Sequence, residues 1–347
     1  MSSKPSILKG TRDFSSNEMQ KRNYLFDKLK KIFYNFSFEE IQTPSIESLD
    51  NLTGQYGVEG DKLIFKILKS GNFLSKSDYN ESSTYKSLAS QISDKALRYD
   101  LTVPFARYVA QHRNNLSFPF RRFQIQNVWR ADKPQKGRFR EFFQCDADII
   151  GTKSLIAEHE LLRLYDTVFD SLGLTNVIIK INHRKILTGI SQIIGEEEKL
   201  IDITVAIDKI DKIGLDKAKE EMYSKGISKK AVKKMDFIFG LEGSNSDKIS
   251  VLRSFLSGSS IGIEGLDELS SLVNSFRDND LKCSLDFDFS LARGLNYYTG
   301  TIFEVKINEL DFGSLGGGGR YDDLTGIFGL KDVSGVGISF GFDRIFM

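Results

Sequence analysis

Three stretches of the 347-residue chain combine residue types and spacings suited to chemistry. The run Arg121 to Arg140 holds Arg121, Arg122, Arg130, Lys133, Lys136, Arg138 and Arg140 against one acidic residue, Asp132. A β-hairpin with arginines at the end of one strand and the start of the next can hold several phosphates, because each guanidinium presents a planar fork of donors. A basic surface hairpin has the same composition, and composition alone leaves the two readings level. Just beyond, EFFQCDADIIG places Gln144, Asp146 and Asp148 at alternate positions, hence on one strand face, where a plain core strand would carry apolar groups. A carboxylate presented beside an amide suits an ammonium group. RYDLT repeats the theme, with Asp100 and Thr102 expected on a common face. The third stretch is LARGLNYYTGTIFEV, Leu291 to Val305. From Tyr297 onward it reads as a strand, which would send Tyr297 and Tyr298 to opposite faces and leave one of them needing a polar role. GGGGRYDDL could cradle phosphate or let a strand approach a neighbour closely. GxxxxGK[ST] does not occur, so the P-loop class is not supported, and no serine–histidine pair stands at a recognisable spacing for hydrolase chemistry.

The elements that must position these residues follow from composition and periodicity. With 40% hydrophobic and 12% aromatic residues, the chain can bury a large core and is expected to form two folding units. A formal net charge of +1 gives no global field for nucleic acid or membrane, so any such partner must meet a local patch. Two cysteines make no disulfide framework, and three scattered histidines make no zinc site. No stretch approaches a transmembrane length and the N-terminus lacks an apolar signal region, so a soluble, cytoplasmic protein is expected. Residues 17–36 form an amphipathic helix, and FEEIQTPSIES is a short strand stopped at Pro44. DKLIFKILKSGNFL turns as a hairpin at Ser70-Gly71-Asn72, and ALRYDLTVPFARYVAQH is a strand entering a helix with Pro104 at its first position. From 176 to 284 the texture is helical, and residues 209–234 carry nine lysines against four acidic residues. Solvated helix faces account for that pattern, as does a small inserted domain whose basic side meets an RNA backbone. After Leu285 β texture returns, so the fold class is α+β.

In this order the stretches resemble the histidyl-tRNA synthetases, a family of class II aminoacyl-tRNA synthetases. KGTRDF, FEEIQTPSIE and GVEGDKLIFKIL are similar to the family's N-terminal half. ALRYDLTVPFARYVA and FRRFQIQNVWRADKPQKGRFREFFQCDADIIG resemble its histidine loop and second class motif. LARGLNYYTGTIFEV resembles its histidine-specific strand, and GGGGRYDDLTGIFG with GVGISFGFDRI its third motif. The arginine-rich hairpin is common to class II synthetases, whereas RGLNYYTG is much narrower. The resemblance implies a class II synthetase-like antiparallel sheet flanked by helices. Residues 1–175 and 285–347 would be the catalytic core and 176–284 a helical insertion domain. It implies activation of L-histidine by ATP, transfer to tRNA(His), and a homodimer across the segment near Pro44.

By the same resemblance Arg293 reaches the α-phosphate and the carboxylate, with Arg130 on the other side of that phosphate. Asp132 and Phe142 match the adenine positions, and Arg138 and Arg344 the distal phosphates. Asp100, Thr102, Gln144 and Asp148 match the histidine pocket, chiefly for the α-ammonium, and Tyr297 and Tyr298 frame the imidazole. Mg²⁺ would arrive with ATP, its protein ligands unassigned, and no tightly bound organic cofactor is expected. Asn296 stands where many of the family carry Asp, and Ser16 where proline is common. The chain stops inside what would be the last helix of the third motif. A C-terminal anticodon-binding domain is therefore expected to be absent, and tRNA binding weakened. The alternative is the regulatory subunit of ATP phosphoribosyltransferase, a synthetase-like paralogue that charges no tRNA. The joint presence of Arg130, Arg138, Arg293, Gln144, Asp148 and Arg344 argues against it.

Overall fold

The computed structural model describes residues 4–75, 77–78, 84–236, 238–277, 280–292, 297–307 and 313–347. Its strands are β1 Glu39–Glu40, β2 Ile46–Ser48, β3 Lys66–Leu68, β4 Ser93–Leu97, β5 Phe120–Trp129, β6 Glu141–Ile150, β7 Val177–His183, β8 Ser284–Phe287, β9 Thr301–Ile307, β10 Gly316–Tyr321 and β11 Gly335–Phe340. The large sheet has the order β1-β5-β6-β11-β10-β9-β7-β8, and a small one the order β2-β4-β3.

The inner strands from β5 to β7 pair antiparallel, as expected, but β1 lies parallel on β5 and β8 parallel on β7. The antiparallel sheet flanked by helices is thus present as expected, and each edge adds one parallel strand, for one reason. A parallel neighbour needs a long crossover, and the chain makes two. The small sheet lies within the first, between β1 and β5. The second, between β7 and β8, is the helical stretch itself, from Arg184–Ile194 to Ser260–Asn274. Residues 176–284 therefore open with a strand of the large sheet and close by returning beside it. Met222, Met235 and Leu252 of the helices share one buried cluster with Ile181 and Phe287 of the strands.

Strand alternation sets the layers. In β6, Cys145, Ala147 and Ile149 turn to one face and are buried with Leu25, Leu29 and Phe33 of the helix Ser16–Asn35 and Leu161, Tyr165 and Val168 of the helix Ile156–Ser171. Phe33 lies 5.0 Å from Phe123 and 5.7 Å from Phe340, ring centre to ring centre. The opposite face of β6 carries Gln144, Asp146 and Asp148. The helix Ser16–Asn35 starts where Ser15 and Glu18 form a reciprocal cap, the Ser15 N–H donating to Glu18 Oε2 at 2.8 Å.

Four local expectations change. Pro44 separates β1 from β2, which join different sheets. The turn at Gly71, φ +77°, does not close a tight hairpin, because β3 pairs with β4 some way along the chain. Thr102 begins the helix Thr102–His112, so Asp100 and Thr102 meet at a strand-to-helix junction and Pro104 is the third helical residue. Tyr297 and Tyr298 precede β9 and escape strand alternation.

Under the sheet, Arg320 of β10 forms a two-pronged pair with Glu158, at 2.6 and 2.5 Å, and Thr301 donates to the same carboxylate at 3.0 Å. Glu158 is fully buried. Glu158→Ala leaves the guanidinium without its counter-charge and is expected to destabilise the fold by about 3–5 kcal/mol. The solvent-exposed pair Arg253–Asp267 should contribute no more than about 1 kcal/mol. Chemical unfolding of Glu158→Ala beside Asp267→Ala checks this; equal, small losses would remove Glu158 from the scaffold.

Candidate active site

The polar face of β6, with β9, β10 and β11 beside it, forms the floor of a cavity of about 490 Å³. Asp100, Thr102, Arg130, Asp132, Arg138, Phe142, Gln144, Asp148, Tyr297, Tyr298 and Arg344 all line it. Arg293 lies outside the described residues. On its N-terminal side the chain is fixed by Asn182, whose amide donates to the carbonyls of Phe289 and Leu291, both at 2.9 Å.

Asp148 sits at the inner end. Its Oδ2 pairs with Arg122 Nη2 at 2.8 Å, and its Oδ1 accepts from the Tyr321 hydroxyl at 2.6 Å. Burial pushes the Asp148 carboxyl above its ordinary range, and the Arg122 charge opposes this. Gly337 stands directly across from it in β11, and any Cβ there would run into the carboxylate. Gly319 makes similar room, since a Cβ would lie 2.9 Å from the Tyr298 ring. The glycine run therefore permits close approach.

Asp100 is held by Tyr56, whose hydroxyl donates to Oδ1 at 3.0 Å, and by the Val103 N–H at 3.1 Å, the first turn of a helix. Its other oxygen, Oδ2, is buried with no hydrogen-bond partner among the described residues, as is Oε1 of Gln144. The Gln144 amide nitrogen is occupied, donating to Ser339 Oγ at 3.2 Å. Two buried acceptors lacking donors are costly in isolation and suit a ligand that brings N–H groups. Tyr297 and Tyr298 meet edge to face, with ring centres 4.9 Å apart. Tyr297 is hydrogen-bonded to Thr102 and Tyr298 to Tyr297, and burial raises both phenols, so they stay protonated at neutral pH.

The other end is cationic. Arg130 donates Nε to the Tyr99 carbonyl at 3.0 Å, and its guanidinium lies 4.3 Å from the Tyr99 ring centre and 5.3 Å from that of Phe142. Arg138 faces Asp132 at 3.7 Å. Arg344 donates to the carbonyls of Gly137 at 3.0 Å and Ser314 at 2.6 Å. From Phe142 to Asp148 the strand advances about 20 Å at roughly 3.3 Å per residue, so one strand joins the two ends.

Of the seven basic residues in the hairpin, only Arg130 and Arg138 line the cavity. Arg121 pairs with Glu160, Arg122 is consumed by Asp148, and Arg140 donates to the Asp132 carbonyl at 3.1 Å. Sequence reasoning named Arg122 in the basic run and Asp146 on the polar strand face without assigning either a site role, and it passed over Tyr56 and Tyr321. The signal for Arg122 was present: Arg122, Gln124 and Gln126 alternate in β5 and sit opposite Asp148, Asp146 and Gln144. Two polar strand faces in matching register indicate a polar floor. Among the described residues, no three His, Cys, Asp or Glu side chains gather as a metal-binding group.

A family model described as Histidyl-tRNA synthetase matches residues 72–345. The histidine–tRNA ligase of Christiangramia forsetii is 58% identical over 351 residues, an alignment covering 100% of this chain and 77% of the relative. That of Bacteroides fragilis is 56% identical over 348 residues, covering 100% and 76%. The crystal structure of histidyl-tRNA synthetase from Nostoc sp. superposes with a TM-score of 0.81 at 30% identity, over 99% of this chain and 75% of that one. A Bacillus halodurans structure titled as an ATP phosphoribosyltransferase regulatory subunit/histidyl-tRNA synthetase gives 0.80 at 23% identity, over 99% and 83%, a likeness of fold.

Asp146 supplies a pH signature. Burial, reinforced by the Asp148 charge and opposed by Arg122, raises its pKa from 3.8 to about 7. With the folded value above the unfolded one, its contribution to stability is complete below the unfolded value and is lost as pH rises towards the folded value. Asp146→Asn cannot ionise. The stability of this variant relative to wild type should therefore grow, by on the order of 1–3 kcal/mol, between about pH 4 and pH 8. Paired unfolding curves across that range check it. A difference that shrinks with rising pH would mean that the folded site stabilises the ionised form.

Proposed function

The chain belongs to the histidyl-tRNA synthetase family, and from that premise we propose that it activates L-histidine with ATP and passes the histidyl group to tRNA(His). The observation that carries the reading is the division of one cavity. Unpartnered buried acceptors, Asp100 Oδ2 and Gln144 Oε1, suit N–H donors at one end, while Arg130, Arg138 and Arg344 make the other end cationic and suited to anions. An amino acid with its ammonium group, laid against a nucleoside triphosphate, satisfies both. The regulatory-subunit alternative is not favoured, since the likeness to that structure at 23% identity carries the fold alone.

In the first step a carboxylate oxygen of histidine attacks the α-phosphorus of ATP. The bond from that phosphorus to the α,β-bridging oxygen breaks, and pyrophosphate leaves with the electron pair. Negative charge gathers at phosphorus, where preorganised cations lower the barrier most. Arg130 is assigned to one side of this phosphate and Arg293 to the other. Phe142 stacks the adenine beside Asp132, and Arg138 and Arg344 hold the outer phosphates. Mg²⁺ enters with the nucleotide as part of the substrate and needs few protein ligands. Asp100, Thr102 and Gln144 receive the ammonium group. A neutral imidazole has one donor and one acceptor, so the protonated phenols of Tyr297 and Tyr298, with Asp148 behind them, can select it over an apolar side chain of similar size. In the second step a ribose hydroxyl at the tRNA terminus attacks the carbonyl carbon, loses its proton, and AMP departs.

The supporting assembly is a homodimer, in which β1 and β2, each at a sheet edge, and Ile46, half exposed, are offered for pairing. A cytoplasmic site of action goes with the reaction. On the helical crossover, several lysines are already paired, Lys209 with Glu221 and Lys219 with Asp236. This makes the solvated-face account sufficient for those and leaves the phosphate-meeting role to other basic residues of the surface.

Histidine-dependent exchange of pyrophosphate into ATP tests the reading directly; a protein that binds histidine without exchange would be a non-catalytic relative. Gln144→Ala removes one acceptor for a buried ammonium, a loss on the order of 2–3 kcal/mol, and should weaken histidine by about tenfold or more with ATP little changed. Unaltered histidine affinity in this variant would misplace the ammonium site. Arg293→Ala should lower the exchange rate by about 10²–10³ while both substrate affinities move much less. If Arg293 only pins the chain, the variant instead melts earlier and keeps its turnover per folded molecule.

A further inference from the structure

The segment from Lys9 to Arg12 runs along the loop that carries the cationic end. Gly10 has φ +93°, and a Cβ there would meet Pro134 Cγ at 2.8 Å and Arg140 Cγ at 2.9 Å. Its carbonyl accepts from the Arg140 N–H at 2.8 Å. Two residues later, Arg12 donates Nη2 to Asp343 Oδ1 at 2.6 Å, and its guanidinium lies 3.4 Å from the centre of the Phe139 ring. Asp343 is the hub. It also receives Arg22 Nη1 at 2.8 Å on Oδ1 and the Phe143 N–H at 2.9 Å on Oδ2. The next residue, Arg344, ties to the Gly137 carbonyl of the same loop at 3.0 Å.

The two arginines differ. Arg22 is 1% exposed and lies among aromatic rings, 4.0 Å from Phe14 and 4.8 Å from Phe342, as a buried cation must. Its removal would threaten the fold. Arg12 keeps 24% of its side-chain exposure, and the Asp343 carboxylate retains Arg22 without it. Two contacts of Arg12 shape the nucleotide end: the Phe139 ring in the loop, and the Asp343 carboxylate, which fixes the backbone next to Phe142 and immediately precedes Arg344. The ammonium-binding side chains, Asp100 and Gln144, are held by Tyr56, Val103 and Ser339 instead.

We infer that Arg12 is a positioning residue for ATP, clamping the 131–140 loop and the Asp343–Arg344 pair into the geometry that receives the phosphates and the adenine. The inference rests on the reading of that end as the ATP site. A guanidinium that only stabilised the fold would, when lost, reduce the amount of active protein and leave the substrate dependence of the remainder intact. One that positions the loop changes the ATP dependence alone.

The test is pyrophosphate exchange, with KM for ATP and for histidine and the Tm measured on wild type, Arg12→Ala, Arg12→Lys and Gly10→Ala. Arg12→Ala should raise KM for ATP by about tenfold or more, the worth of a charge-assisted hydrogen bond, and leave KM for histidine within about twofold. Arg12→Lys should fall between, because an ammonium can reach Asp343 but cannot lie flat on Phe139. Gly10→Ala disturbs the same strap without touching Asp343 and should shift ATP in the same direction. If Arg12→Ala does not fold, the other two variants carry the test. Equal changes in both KM values, or unchanged KM with a smaller active fraction, would overturn the inference. Absence of histidine-dependent exchange in the wild type would overturn the functional reading itself, which keeps the two failures apart.

Discussion

A carboxylate cannot be carried out of water without a counter-charge or a proton, and the floor of this cavity is built around that constraint. Asp148 is ionisable in a fully enclosed place because Arg122, itself buried, pairs with it at 2.8 Å and the Tyr321 hydroxyl donates to its other oxygen. The partners come from three strands. β5 supplies Arg122, β10 supplies Tyr321, and β11 supplies the vacant space at Gly337 that lets the carboxylate fit. The strand order is therefore the means by which one charge is tolerated, and altering it would strand that charge. Asp146, one step along the same face, lacks such a dedicated cation, and its pKa rises to about 7.

The sheet works as a partition between two solvents. One face is apolar and is closed by two helices; the other is polar and open to a cavity. That division was visible in the sequence of β6, where Cys145, Ala147 and Ile149 interleave with Gln144, Asp146 and Asp148. Strand periodicity is a local property and can be read locally. The helix at 16–35 was legible for the same reason, since helical periodicity is local too. What escaped was set by distant partners. The parallel edges depend on which strands two long crossovers return to. Arg122 shares its residue type with Arg130 and Arg138, and only the register against Asp148 shows that it faces a carboxylate.

Tyr297 and Tyr298 misled in another way. Their types favour a strand, yet the pairing of β9 begins only at Thr301, where it meets β7 opposite His183. Freed from alternation, both rings reach one cavity and touch each other. Asp100 and Thr102 come together by a related route, the carboxylate receiving the Val103 N–H at the start of a helix. Apart from Arg293, the side chains singled out as a set thus line one cavity, while the backbone that brings them together was misread at these two junctions. Junctions are fixed by where hydrogen-bond ladders stop, and side-chain types report that poorly.

The hydrogen bond from Arg12 to Asp343 joins residues 331 positions apart. A ribosome adding about 5–20 residues per second needs on the order of tens of seconds to make the intervening chain. Until residue 343 has been made, Arg22 lacks the carboxylate that pairs with it, and the 131–140 loop lacks the brace that Arg12 and Asp343 provide. The sheet can assemble progressively as its strands emerge, but the cationic end of its cavity is closed only after residue 343 has been made. A nascent chain of this protein thus passes through a period in which its core can form while the cationic end of the cavity is still open.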